Sequence, residues 1–327
     1  MTLLLSRRSF NAVAAAAAVC VAPQGFAQGA PFPDRAIHIV VAYPAGGGTD
    51  AAGRQMAQRI AERLSAQVIV ENRPGAGGGL GTLMVARSQP DGYTLAVGGV
   101  GTQISARTLF PELKLDPMKE LAPIALLTSA PHALVVSASS PISSVAQLVE
   151  AARTRKGGLV YASGGAGSTT HLAVEMFSAM AHLKLEHVPY KGSSPAHLDL
   201  VAGRVDFMMD ILSSVTPLIK SGRLRLLAVS TATRLPQFAN VPTIAETPGF
   251  AGFEALSWTG LFAPRRTAPQ IIRKLSDALN DPRDDPAFKA QVEANGASYT
   301  PMDATQFDAF VKAEYARWSP IAEKTLR

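Results

Sequence analysis

The sequence predicts an α/β protein built from two lobes, and three observations lead there. Short runs rich in Val, Ile and Ala alternate with segments whose apolar residues recur at helical spacing, the pattern of a mostly parallel sheet flanked by helices. Glycine-rich turns follow several of the runs, at Gly46-Gly47-Gly48, Gly98-Gly99 and Gly164-Gly165. The pattern restarts at Ala133, and 327 residues are enough for two cores. A hydrophobic content of 47% excludes a predominantly disordered chain. The single cysteine, Cys20, excludes a disulfide framework, an iron–sulfur protein and a cysteine-type structural zinc site.

Residues 1–27 read as a signal peptide and stand outside the fold. Arg7 and Arg8 form a charged start, and residues 12–22 an apolar, Ala-rich run too short to span a bilayer. Gly25-Phe26-Ala27 then offers small residues for cleavage after Ala27. Ser6-Arg7-Arg8-Ser9-Phe10 matches a twin-arginine signal, with an ordinary secretory signal as the other reading. Cleavage removes two positive charges and no acid, so the net charge falls from +6 to +4 and 300 residues remain. The expected product is periplasmic and monomeric. Its basic residues are scattered, the densest cluster being Arg153-Thr154-Arg155-Lys156, so no nucleic-acid surface is expected.

Along the remaining chain, residues 37–42 read as a buried strand and 50–64 as a helix with Met56, Ile60 and Leu64 on one face. Strands follow at 68–70 and 93–98, with a helix near 80–88 between them. After the restart come a strand at 133–137, a helix at 145–153 and a strand at 159–162. The helix that begins near Ser168 carries Leu172, Met176 and Met180 on one face. Strands at 185–188, 205–209 and 224–230 and a helix at 194–202, stopped by Gly203, complete the second lobe. The tail reads as helices over 269–280, 285–294 and 303–324.

Two turns carry the chemistry. Tyr43-Pro44-Ala45-Gly46-Gly47-Gly48-Thr49-Asp50 lies between a buried strand and a helix, where unpaired N–H groups and the positive end of the dipole favour an anion. A tight structural turn capped by Thr49 or Asp50 is the other reading. Ser163-Gly164-Gly165-Ala166-Gly167-Ser168-Thr169-Thr170-His171 has the same logic with more hydroxyls, against a reading as a cap alone. Gly165-x-Gly167-x-x-Thr170, with Glu186 21 residues after Gly165, mimics a dinucleotide fingerprint, but Thr stands where the third Gly belongs. No catalytic set, cofactor site or metal spacing assembles. Asp210 ends a strand, where it either meets a ligand hydroxyl or amine or caps a turn. Trp258 reads as core packing or a cleft aromatic, and Trp318 as helix packing.

Tyr-Pro-Ala-Gly-Gly-Gly-Thr-Asp (43–50), Glu-Asn-Arg-Pro-Gly-Ala-Gly-Gly (71–78), Pro-Asp-Gly-Tyr-Thr-Leu (90–95), His-Val-Pro-Tyr-Lys-Gly (187–192) and Val-Pro-Thr-Ile-Ala-Glu (241–246) occur in order. With them the chain resembles the Bug receptors, the substrate-binding proteins of tripartite tricarboxylate transporters. The resemblance implies a two-lobed periplasmic binding protein of the Venus flytrap type (type II), each lobe a mixed, mostly parallel sheet. It implies lobe I over 28–129 and 253–327, lobe II over 130–252, and crossings near 126–130 and 257–262. It also implies no enzyme activity but a small organic acid held in the cleft by amides, hydroxyls and waters. The ligand residues carried over are Tyr43, Pro44, Ala45, Gly46, Gly47, Gly48, Thr49, Ser163, Gly167, Ser168, Thr169, Thr170 and Asp210, with Thr102 and Gln103 from the loop after the third strand. The implied partners are transporter membrane subunits or, alternatively, a sensor kinase.

Overall fold

The computed structural model describes residues 32–45, 48–280, 286, 289–290 and 298–326. The expected signal peptide, Gly46, Gly47 and most of the helix expected over 285–294 lie outside the described residues.

The first half of the fold begins with β1 (Ile37–Val41), α1 (Gly48–Leu64), β2 (Val68–Asn72), α2 (Gly79–Ala86) and β3 (Thr94–Gly98). A π-helical turn over Gly101–Ser105 leads into the short helices α3 (Ala106–Leu109) and α4 (Pro117–Glu120). The long strand β4 (Leu121–Ser137) then carries the chain into the second half. There follow α5 (Val145–Thr154), β5 (Leu159–Ser163), α6 (Thr169–Ala181), β6 (Leu185–Pro189), α7 (Ser193–Val201), β7 (Phe207–Ile211), α8 (Leu212–Lys220) and β8 (Leu224–Val229). The chain returns along β9 (Leu256–Pro264) and ends with α9 (Pro269–Leu279), β10 (Ser298–Met302) and α10 (Ala304–Leu326).

Local chemistry accounts for the helix starts that matter. Ser144 accepts a hydrogen bond from the Gln147 amide and caps α5, while Gln147 Oε1 reaches back to the Ser143 amide. Ser168 caps α6 in the same way through the His171 amide. The strand order is β2-β1-β3-β9-β4-β7-β5-β6, with β8 and β10 also paired to β4. The triplets β2-β1-β3 and β6-β5-β7 are parallel, and β4, β8, β9 and β10 supply the antiparallel pairs. Each lobe expected from the sequence therefore contains a mixed sheet, and β4 belongs to both.

The two segments expected to be connections are strands. Residues 121–131 of β4 pair antiparallel with β9 from Leu121↔Pro264 to Pro131↔Leu256. Beyond Pro131, β4 exchanges β9 for β7 and β8. Pro123, Pro131 and Gly260 break the local strand signal, and the register slips just after Pro123. Helix α8 also goes unread in the sequence because Pro217 lies inside it.

Alternation along β4 divides the core. Leu134 and Val136 join a cluster that runs from Val40 and Ala96 through Trp258, Phe262, Phe307 and Trp318 to Leu172 and Phe177. Ala133 and Val135 face a second cluster with Ala162, Leu200, Met208 and Val215. Helix α10 fastens both halves. Phe307 packs on Trp258 and Phe262 in the first, and Thr325 donates to Glu175 of α6 in the second. Midway, buried Glu314 accepts from the indoles of Trp258 at 3.0 Å and Trp318 at 2.8 Å. Both tryptophans thus pack in the core, with Trp258 also reaching the cavity described next.

Candidate functional site

A cavity of about 300 Å³ lies between the carboxyl ends of the two parallel triplets, where α/β sheets collect their ligands. Tyr43 and Thr49 contribute from the turn after β1, and Gly77 from the turn after β2. Gly99, Val100, Gly101, Ser105 and Leu109 contribute from the segment after β3. The opposite wall is Gly164–Thr169 with Ile211, and the floor is Ser257–Thr259 of β9. No lining residue among those described carries a formal charge.

The 163–169 loop is braced from within. The Gly164 amide donates to Thr170 Oγ1, the Gly165 amide to Ser163 Oγ and the Gly167 amide to His171 Nδ1. Gly165 O accepts from Ser168 Oγ at 2.6 Å and from the Ser168 amide at 3.2 Å. Behind the loop the His171 and His187 rings stack with centroids 3.9 Å apart, and Tyr161 stacks on His187. Ser163 Oγ meets His187 Nε2 at 2.7 Å. Burial pushes both imidazoles down to about 4, so both are neutral, which leaves His171 Nδ1 free to accept. The amides of Ala166, Thr169 and Thr170 meet no acceptor in the described chain.

The turn after β1 is held differently. The Asn72 amide at the end of β2 donates to Tyr43 O at 3.0 Å and to Asp50 Oδ1 at 2.9 Å. Arg54, one turn along α1, donates to Asp50 Oδ2. The Tyr43 hydroxyl donates to Gly77 O, and burial pushes its phenol up to about 12. A Cβ at Gly101 would fall onto that hydroxyl, so a side chain there would have to displace Tyr43. Across the cavity, Gly167 has φ +75° and lies against Leu109, so a side chain there would collide with the opposite wall.

Of the residues expected to bind ligand, Tyr43, Thr49, Gly167, Ser168 and Thr169 line the cavity. Pro44, Ala45 and Gly48 are exposed beside it, while Gly46 and Gly47 are outside the described residues. Ser163 and Thr170 are buried as braces of the loop. Thr102 and Gln103 are buried as well, and Thr102 Oγ1 closes the turn on Gly99. Asp210 is buried, and its carboxylate accepts from Ser193, His197 and the Ile211 amide.

Among the lining residues that the sequence reading missed, including Gly77, Leu109 and Ile211, Ser105 stands out. It is 2% exposed, it lines the cavity, and its Oγ has no hydrogen-bond partner. A buried hydroxyl without a partner is uncommon enough to require an explanation. Nothing adjacent in the sequence marks it, because the π-helical turn alone brings it to the wall.

Comparison with known proteins places this architecture. Residues 52–326 match the model of the tripartite tricarboxylate transporter family receptor. The chain belongs to this receptor family. The UPF0065 protein in the tcbD-tcbE intergenic region of Pseudomonas sp. (strain P51) is 41% identical over 249 residues, 76% of this chain and 74% of that one. Protein BugT of Bordetella pertussis is 33% identical over 297 residues, 90% of each chain. Among solved structures, Rpa4515 of R. palustris with adipate has 34% identity and a TM-score of 0.78 over 90% of this chain and 98% of that one. MatC of Rhodopseudomonas palustris with bound malate has 32% identity and a TM-score of 0.75 over 89% of this chain and 100% of that one. The family and its fold are those of two-lobed solute-binding receptors, not enzymes. The dinucleotide-like spacing at Gly165 therefore has another use. Its Gly167 amide is committed to His171.

Proposed function

We propose that the protein is a periplasmic receptor that closes on a small organic acid and presents it to the membrane subunits of a tripartite tricarboxylate transporter. The observation that carries this reading is the cavity wall itself. It offers unpaired amides at Ala166 and Thr169, a buried unpartnered hydroxyl at Ser105, and no formal charge among the described lining residues. A carboxylate there would receive charge-assisted hydrogen bonds of about 1.5–3 kcal/mol each. The start of α6 adds about 0.3–1 kcal/mol. A few such bonds approach the ~8 kcal/mol of micromolar binding without a salt bridge. The solved relatives with adipate and malate support the ligand class.

In this reading the lobes are the two halves of the sheet, and β4 and β9 form the hinge. Ligand bridges the start of α1 and the 43–49 turn on one side and the 163–169 loop on the other. It favours the closed form by its greater affinity for that form. The test is a thermal-shift screen of C4–C6 dicarboxylates, hydroxy acids and aromatic acids, followed by calorimetry. A ligand raises the melting temperature of the native protein, and Ser105→Ala weakens its binding about tenfold without lowering the melting temperature of the free protein. A panel with no binder would overturn the reading.

A further inference from the structure

We infer that His197 and Ser193 withhold the Asp210 carboxylate from the cleft, so that the receptor takes acids without an amino group and rejects their α-amino counterparts. The inference rests on the carboxylate-binding reading above and narrows it.

An ammonium group in a desolvated cleft needs an anion or several free carbonyl oxygens. Asp210 stands next to Ile211, which lines the cavity, and it is the acidic residue at the carboxyl end of β7. Yet its side chain is 1% exposed and turned away. Ser193 Oγ donates to Oδ1 at 3.0 Å, the Ile211 amide to Oδ1 at 2.8 Å, and His197 Nε2 bonds Oδ2 at 2.6 Å. Ser193, at the start of α7, also stands beside Gly164, between the loop and the carboxylate.

Three of the carbonyls at the cavity are committed too. Gly77 O accepts from Tyr43, Gly99 O from the Gln103 amide and Thr102 Oγ1, and Gly165 O from Ser168. With Asp210 committed, no acidic side chain among the described residues lines the wall, while the amides of Ala166 and Thr169 are unpaired. These amides suit carboxylate oxygens and leave an ammonium without an acidic partner. Discrimination of this kind comes from what the site cannot satisfy, more than from what it adds.

The experiment is calorimetry on the full native protein with matched pairs: succinate and aspartate, glutarate and glutamate, adipate and 2-aminoadipate. In every pair that binds, the amino acid is expected to bind at least about tenfold more weakly. Equal or tighter binding of the amino member overturns the inference while leaving the carboxylate reading intact. Failure of all six acids overturns the inference, and it bears on the carboxylate reading only together with a silent wider screen. The role of the positioning residues is read from the selectivity ratio. His197→Ala with Ser193→Ala is expected to narrow the ratio at least about threefold. His197→Gln, which keeps a donor for Asp210, is expected to preserve it. A ratio unchanged in the double variant would overturn the role assigned to the pair.

Discussion

The two glycine-rich turns have the same order of strand, loop and helix, but they are held in different ways. The 163–169 loop is built from its own side chains: Ser163, Ser168, Thr170 and His171 take up its amides and a carbonyl, and stacked imidazoles back it. The turn after β1 has Pro44, Ala45 and Gly48 exposed, and a neighbouring strand secures it through Asn72. One wall is supported by its own side chains, whereas the described residues of the other are tied to Asn72 of the neighbouring strand. Glycine at a strand end therefore indicates where a ligand wall can form, and the residues around it decide how that wall is held.

Acid should separate the two most strongly. His171 and His187 titrate near 4 in the fold and near 6.5 in the unfolded chain. Between those values the unfolded state binds more protons, so stability present above pH 6.5 is lost as pH falls toward 4. Buried His132 acts in the same direction, so the comparison must be made with a variant. Thermal melts from pH 7 to pH 4 should show a steep loss, flattened by His171→Asn with His187→Phe. The asparagine oxygen can replace Nδ1 as acceptor and takes up no proton. An unchanged profile in that variant would remove the imidazoles from the account of the second loop.

Gly167→Ala should have the next largest effect. It forces a side chain into positive φ and onto Leu109, which props the cavity open. Calorimetry should show carboxylate binding reduced about a hundredfold, equivalent to about 2.7 kcal/mol. Asn72→Ala releases Tyr43 and Asp50 from the end of β2, and it should weaken binding about tenfold with about 1–2 kcal/mol of lost stability in urea melts. Ser168→Ala removes the α6 cap and should lower stability by about 1 kcal/mol. If Asn72→Ala left binding unchanged, the first turn would be self-supporting like the second, and the contrast between them would fail.

Much of this arrangement was legible in the sequence where the signals are local. Helices α1 and α6 follow from apolar spacing, and α6 also from the hydroxyls at its start. Tyr43, Thr49, Gly167, Ser168 and Thr169 could be placed because a strand, a turn and a helix start fix where they point. The 121–131 part of β4 and the strand β9 were not legible as strands, since Pro123, Pro131 and Gly260 interrupt runs that are stabilised by pairing with each other. Ser105 and Leu109 reach the cavity through a π-helical turn that has no marked spacing. Ser163 and Thr170 turned inward because buried amides of the loop required acceptors more than the cavity required hydroxyls. Asp210 turned inward because Ser193 and His197, distant in sequence, supply its donors.

The central claim is that peptide amides and hydroxyls of opposite walls hold an organic acid without a cationic side chain. A crystal structure of the complex with a dicarboxylate from the screen tests it most directly. The account predicts carboxylate oxygens within hydrogen-bond distance of the Ala166 or Thr169 amide and of Ser105 Oγ. A carboxylate paired with an Arg or Lys side chain, or bound away from the 163–169 loop, would contradict it.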